Sequence, residues 1–257
     1  MKKLTVLASC FKAENFLKNY FKSAAKQSFL DFEIAVEAVT PSPKEIIIIN
    51  KAKKKYPFIN LNIHEYRIPL SEAWNTSIQR TDSDLICIWN LDDLRTKDSL
   101  SRMVATFNED ETVDYVYGNY TVVDKFKKKS GGYINESERE NELTSSMILG
   151  PFFMFKRSVI DKIGLFDEQL LSGADFDFAM RLARDFKGKH LDHNLGYYLN
   201  TGNGLSTNQN SLQELERTVV EIRYGLDVIN EDLVEKAKSN YSVSKRLINK
   251  SYEYIKK

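Results

Sequence analysis

The sequence predicts an α/β fold: a mixed, mostly parallel sheet flanked by helices, with a C-terminal helical tail. Two observations carry this. Short apolar runs of strand-forming residues alternate with segments whose apolar positions recur at helical spacing. Polar and acidic residues follow several of those runs directly, where the parallel strands of an open sheet present their carboxyl ends.

Each element has a local reason. Residues 4–9 form a buried strand, and Phe16, Leu17, Tyr20, Phe21, Ala24 and Ala25 mark one face of the helix behind it. Residues 32–36 are the second strand. Ser42-Pro43-Lys44-Glu45 starts a helix: serine caps, proline suits the first turn, and the glutamate reaches back to the cap. Residues 45–55 are therefore helix, although four consecutive isoleucines favour strand by propensity. Strand at 61–64, helix at 71–79 and strand at 85–89 continue the alternation that implies parallel pairing. Thr96 is the expected cap of a helix to about residue 107, and 114–123 reads as one or two strands around Gly118.

Residues 125–146 hold a basic run, a Gly-Gly pair and an acidic run with little apolar content, the composition of a loosely packed loop. A helix at 156–163 stops at Gly164 in a left-handed cap, and 175–186 is helix and 190–199 strand. From Ser211 the pattern is helical throughout, with Leu212, Leu215, Val219, Ile222, Leu226 and Ile229 at three- and four-residue steps.

The 257 residues fit one large domain, or one domain with a tail. Lysine and arginine number 37 against 36 aspartates and glutamates. That balance excludes a nucleic-acid binder held by phosphate neutralisation. At 42% hydrophobic the chain can bury a sizeable core. No apolar run approaches the roughly 20 residues a bilayer crossing needs. Lys2 and Lys3 are not followed by a signal-like cleavage region, so a cytoplasmic protein is expected. Cys10 and Cys87 each lie in an apolar run and read as buried free thiols. Residues 9–15 hold no glycine and no Gly-x-x-x-x-Gly-Lys motif occurs, which disfavours nicotinamide and P-loop chemistry.

Two acidic clusters carry the chemistry. Asn90-Leu91-Asp92-Asp93 closes an apolar strand, and alternation places Asn90 and Asp92 on one side. Two oxygens there suit a hard divalent cation bridging to nucleotide phosphates, and a simple turn or cap would use the same residues. Gly164-Leu165-Phe166-Asp167-Glu168 and Gly173-Ala174-Asp175-Phe176-Asp177 come later. Asp175 and Asp177 fall at a helix start, whose dipole favours ionised carboxylates. Helix capping, with Arg181 pairing Asp177 one turn on, accounts for the same pattern.

Taken in order, these segments resemble the family-2 glycosyltransferases of the GT-A fold over about residues 4–207. Ser9-Cys10-Phe11-Lys12 matches the family's opening Pro-Thr-Tyr-Asn segment, and Asp31-Phe32-Glu33-Ile34 the entry to its second strand. Ala73-Trp74-Asn75-Thr76-Ser77-Ile78 is similar to its Ala-Arg-Asn-x-Gly-Ile helix. Asn90-Leu91-Asp92-Asp93 stands in the place of Asp-x-Asp-Asp. Gly164-Leu165-Phe166-Asp167-Glu168 is similar to Gly-Gly-Phe-Asp-Glu, and Gly173-Ala174-Asp175-Phe176-Asp177 to Gly-Glu-Asp-x-Asp.

The resemblance implies inverting transfer from a nucleotide-sugar donor to a glycan, glycoconjugate or lipid-linked acceptor. The donor would lie near Phe11, Glu37 and Asn75, with Asn90 and Asp92. Mn²⁺ or Mg²⁺ would be held mainly by Asp92, with Asn90 and Asp93. Asp175 would act as the general base. The chain departs from the pattern at several places: Asn90 replaces an acid, Glu37-Ala38-Val39-Thr40 replaces Asp-Asp, Ala174 replaces glutamate, and Trp74 replaces arginine. No histidine follows Tyr197-Tyr198, while His190 and His193 lie earlier and read as structural or as ligands. These departures leave a second expectation, a GT-A-like domain that binds sugar or nucleotide without turnover. Retention of Asp92, Asp93, Asp175 and Asp177 favours the transferase. Residues 1–207 are expected to form the catalytic domain and 208–257 a helical extension packed on it. A homo-oligomer contact, or a basic face on anionic lipid at the inner face of the membrane, is the alternative use of that extension.

Overall fold

The computed structural model describes residues 2–126, 132–135, 147–201, 212–248 and 251–254. Four parallel strands form one side of the sheet: β1 (Leu4–Cys10), β2 (Phe32–Val39), β3 (Ile59–His64) and β4 (Leu85–Ile88). β5 (Leu94–Arg95), β6 (Tyr115–Val123), β7 (Tyr133–Ile134), β8 (Met154–Lys156) and β9 (Gly188–Leu199) complete a nine-stranded sheet. Its order is β3-β2-β1-β4-β8-β6-β9-β5, with β7 on β6. β8 runs antiparallel to both β4 and β6, β6 and β9 are parallel, and β5 is antiparallel to β9. The predicted mixed, mostly parallel sheet is therefore present.

Alternation along the strands divides the core into two layers. Leu4, Val6, Ala8 and Cys10 of β1 join Leu85 and Cys87 of β4 on one face. That face is covered by α1 (Leu17–Ala24), α2 (Pro43–Lys55) and α4 (Ser99–Glu109). Leu7, Ile86 and Ile88 point to the other face, with residues of α3 (Leu70–Gln79), α6 (Ala174–Asp185) and α7 (Leu212–Tyr224). Cys10 and Cys87 are buried free thiols, as expected.

The capping box decides α2 against the isoleucine run. Ser42 Oγ accepts the Glu45 N–H, and Glu45 Oε2 accepts the Ser42 N–H at 2.8 Å. Gly118 marks an irregularity in β6, where a Cβ would stand 2.7 Å from the Leu191 carbonyl oxygen. Four expectations need correction. α4 starts at Ser99, because Thr96 spends its hydroxyl on the carbonyls of Asn194 and Leu195. The helix before Gly164 is a 3₁₀ turn, Arg157–Val159, followed by the single turn α5 (Ile160–Ile163). Gly164 does adopt positive φ, at 74°. The expected loop at 125–146 lies largely outside the described residues, yet Tyr133 and Ile134 within it pair with β6. The tail is not wholly helical: α7 and α8 (Val234–Asn240) are followed by a hairpin of β10 (Lys245–Ile248) and β11 (Ser251–Tyr254). Among the described residues, no helix is long and apolar enough to cross a membrane.

Candidate active site

The carboxyl ends of β1 and β2 turn sharply. Lys12 and Thr40, just beyond those strands, adopt φ of 53° and 43°. Neither is a glycine, and such left-handed residues concentrate where a site imposes the backbone path. Phe11 packs against Val39, Ile68 and Ala73. The Arg67 guanidinium lies 4.6 Å from its ring centroid and the Lys12 ammonium 5.3 Å. One aromatic face and two cations thus gather at the end of β1.

Glu37 lies deeper. It is fully buried, and its carboxylate takes Ser77 Oγ, Asn62 Nδ2 at 2.8 Å and His64 Nε2 at 2.7 Å, with an ion pair to Arg80 at 2.5 Å. Burial works to raise its pKa, but Arg80, His64 and Asn62 outweigh that and hold it below the ordinary value. Through these contacts the carboxylate braces α3 against β2 and β3.

The turn at 90–93 is fixed by its surroundings. Asp93 N–H donates to the Asn90 carbonyl, the Trp89 indole N–H to the Asp93 carbonyl, and Tyr20 Oη to the Trp89 carbonyl. Asp93 is buried, and its Oδ1 accepts the Leu199 N–H at 3.0 Å. Its Oδ2 is buried without a hydrogen-bond partner. Burial and then the charge of Asp92 push the Asp93 carboxyl well up, and burial also raises Asp92, which retains some surface. Among the described residues, no three His, Cys, Asp or Glu side chains gather as a metal cage. The donor set nevertheless suits Mg²⁺ or Mn²⁺ shared with phosphate oxygens. Such ions use one or two carboxylates, and a cation would relieve the crowded charge and the orphaned Oδ2. His190 and His193 face Asn119 and Asp98.

A second centre forms around α6. Asn75 on α3 straps the loop that begins at Gly164: its Nδ2 donates to the Phe166 carbonyl at 2.9 Å and to Glu168 at 2.8 Å, and its Oδ1 accepts the Phe166 N–H. Asn75 is thus saturated by the protein, a tether between two motifs. Trp74 is buried against Phe166, ring centroids 5.0 Å apart. Asp177, fully buried, pairs with Arg181 as expected, and also with Arg223 of α7 at 3.1 Å. Arg223 binds Asp167 at 2.8 Å as well. Asp175 stands in the first turn of α6, its Oδ1 accepting the Phe176 N–H at 2.8 Å. Burial pushes its pKa up to about 6, helped by the negative charge of Glu216.

Glu216 and Arg223 were not singled out by sequence. On an amphipathic pattern, charged residues of a helix are assigned to solvent. The available signal was indirect: Asp167 and Asp177 in apolar surroundings require a cationic partner.

A family model described as Glycosyl transferase family 2 matches residues 5–164. The uncharacterised glycosyltransferase YwdF of Bacillus subtilis (strain 168) is 21% identical over 197 residues, 74% of this chain and 71% of that protein. The chondroitin synthase of Pasteurella multocida (strain Pm70) is 21% identical over 261 residues, covering 98% of this chain but only 26% of the synthase. Among solved structures, S. aureus TarS 1-349 superposes with a TM-score of 0.68 at 16% identity, over 93% of this chain and 71% of that one. The mannosyltransferase PcManGT from Pyrobaculum calidifontis, in complex with GDP-Man and Mn²⁺, gives 0.62 at 14% identity, over 86% and 62%. The structural likenesses show the GT-A fold. Together with the family match, they make this chain a nucleotide-sugar glycosyltransferase. It belongs to glycosyl transferase family 2.

Proposed function

We propose that the chain moves a sugar, with inversion, from a nucleotide-sugar donor to a hydroxyl of a glycan, glycoconjugate or lipid-linked acceptor. The observation that carries the reading is Asp175: a carboxylate at a helix start whose pKa is raised to about 6. A base poised just below neutral pH is ionised in use yet strong enough to accept a proton. As the acceptor oxygen attacks the anomeric carbon, the carbon–oxygen bond to the diphosphate breaks. The hydroxyl proton passes to Asp175 Oδ2, since Oδ1 is engaged by the Phe176 N–H. The bonding electrons leave with the nucleoside diphosphate, so no covalent enzyme intermediate is needed.

Phe11, with Arg67 and Lys12, forms the donor side, where an aromatic face and cations suit a base and phosphates. Asp92, with Asn90 and Asp93, would hold Mg²⁺ or Mn²⁺. The cation supplies neutralisation of the diphosphate charge, typically worth several kcal/mol. TarS has been solved with UDP and UDP-GlcNAc and PcManGT with GDP-Man, which supports a nucleotide-sugar donor and leaves the sugar open.

The test is a thermal-shift and transfer assay with UDP-GlcNAc and GDP-mannose, with and without MnCl₂. Asp175→Asn should abolish transfer and keep the donor-induced thermal shift. Asp92→Ala should lose the Mn²⁺-dependent part of that shift. Turnover near wild type in Asp175→Asn would remove the base assignment, and indifference to both EDTA and Asp92→Ala would remove the cation.

A further inference from the structure

The turn leading into α6 is held by a side chain from the C-terminal segment. Glu216 of α7 is fully buried. Its Oε1 accepts the Leu171 N–H at 2.9 Å, and its Oε2 the N–H groups of Ser172 at 2.6 Å and Gly173 at 2.7 Å. The Tyr241 hydroxyl, beyond α8, donates to Oε1 at 3.0 Å. Three successive amides on one buried carboxylate form charge-assisted bonds, stronger than neutral ones. The backbone approaches closely enough that a Cβ on Gly173 would meet Glu216 Cβ at 3.1 Å. Asp175 follows two residues later.

We propose that Glu216 is the positioning residue of Asp175: by gathering three consecutive amides it fixes the entry to α6 and the place where the Asp175 carboxylate stands. This rests on the reading of Asp175 as the base. A cap of the ordinary kind takes one or two amides from a residue at the helix start itself. Here the acceptor comes from another helix and binds the peptide groups before α6 begins. The charged groups packed around this turn are Glu216 and Arg223 of α7, Asp167 of the loop, and Asp177 and Arg181 of α6, with Tyr241 behind them. Arg223 and Arg181 are engaged by Asp167 and Asp177, and the negative charge of Glu216 opposes ionisation of Asp175. One side chain thus fixes where the base stands and adds to the burial that raises its pKa.

The test is a carboxyl-carbon NMR titration of the full chain, with Asp175→Asn to assign the signal, alongside amide hydrogen exchange. Glu216→Gln should lower the Asp175 midpoint by about half a pH unit or more. It should also speed exchange at Leu171, Ser172 and Gly173 by roughly tenfold, while the second half of α6 is unchanged. Glu216→Asp keeps the charge but is one methylene short. It should loosen the same three amides and leave the midpoint nearer wild type. An unmoved midpoint in Glu216→Gln, or exchange that rises along the whole of α6, would overturn the proposal and leave a general brace. If neither variant folds, wild-type protein decides: unprotected amides at 171–173 overturn the proposal, and core-like protection upholds it. Should Asp175→Asn retain transfer, the base reading fails on its own, while the titration still reports whether Glu216 places that carboxylate.

Discussion

Replacing Arg223 by methionine keeps an unbranched apolar stem and removes the guanidinium with its charge. The wild-type guanidinium is fully buried between two buried carboxylates, Asp167 at 2.8 Å and Asp177 at 3.1 Å. It also donates to the Ser242 carbonyl through Nε at 2.8 Å and a terminal nitrogen at 2.6 Å. Asp177 keeps Arg181, but among the described residues the Asp167 carboxylate keeps only the N–H and amide of Gln169. Removing one partner of a buried ion pair typically costs about 3–5 kcal/mol, because the other charge stays buried and uncompensated. At about 2–4 °C per kcal/mol for a chain of this size, the melting temperature should fall by roughly 6–20 °C. Urea denaturation followed by circular dichroism would measure the change directly. A destabilisation under about 1 kcal/mol would refute the reasoning, since only a solvent-screened pair is worth so little.

Two further outcomes follow from the geometry. With Asp175 at about 6, its ionised fraction falls with acidification below that pH. Transfer rate should therefore drop about tenfold per pH unit below 6 and level off above it, and a profile flat from pH 4.5 to 8 would contradict this. Asn75→Ala unties the Phe166 N–H and carbonyl together. Leaving such buried groups unpaired should cost about 2–4 kcal/mol in chemical denaturation, and a neutral change would show that water or a neighbour replaces the amide.

The alternating half of the molecule was legible because local signals agreed there. Ser42, Pro43 and Glu45 fixed α2 in spite of Ile46 to Ile49, and the apolar runs of β1, β2 and β4 could only be buried strands. The placement of Asp92, Asp93 and Asp175 at element ends followed from the same spacing. What stayed hidden depends on distant partners. Glu37 was visible near the end of its strand, but its buried partners Arg80 and His64 were not. Glu216 and Arg223 were not singled out because the groups they bind upstream lie 43 to 56 residues away. The closing hairpin was missed because Lys245 to Ile248 is too short for its period to separate strand from helix.

The match to the family model ends at Gly164. The clamp made by α7 places part of this chain's inheritance beyond that boundary. Asp167 and Asp177 sit in recognisable motifs, but the Arg223 that pairs with both, and the Glu216 that holds the turn before α6, lie beyond them. A chimaera joined near residue 207, grafting a foreign C-terminus onto this sheet, would carry the acids without their cation and the turn without its carboxylate. The loop from Gly164, α6 and α7 are thus joined by buried charge into one structural unit.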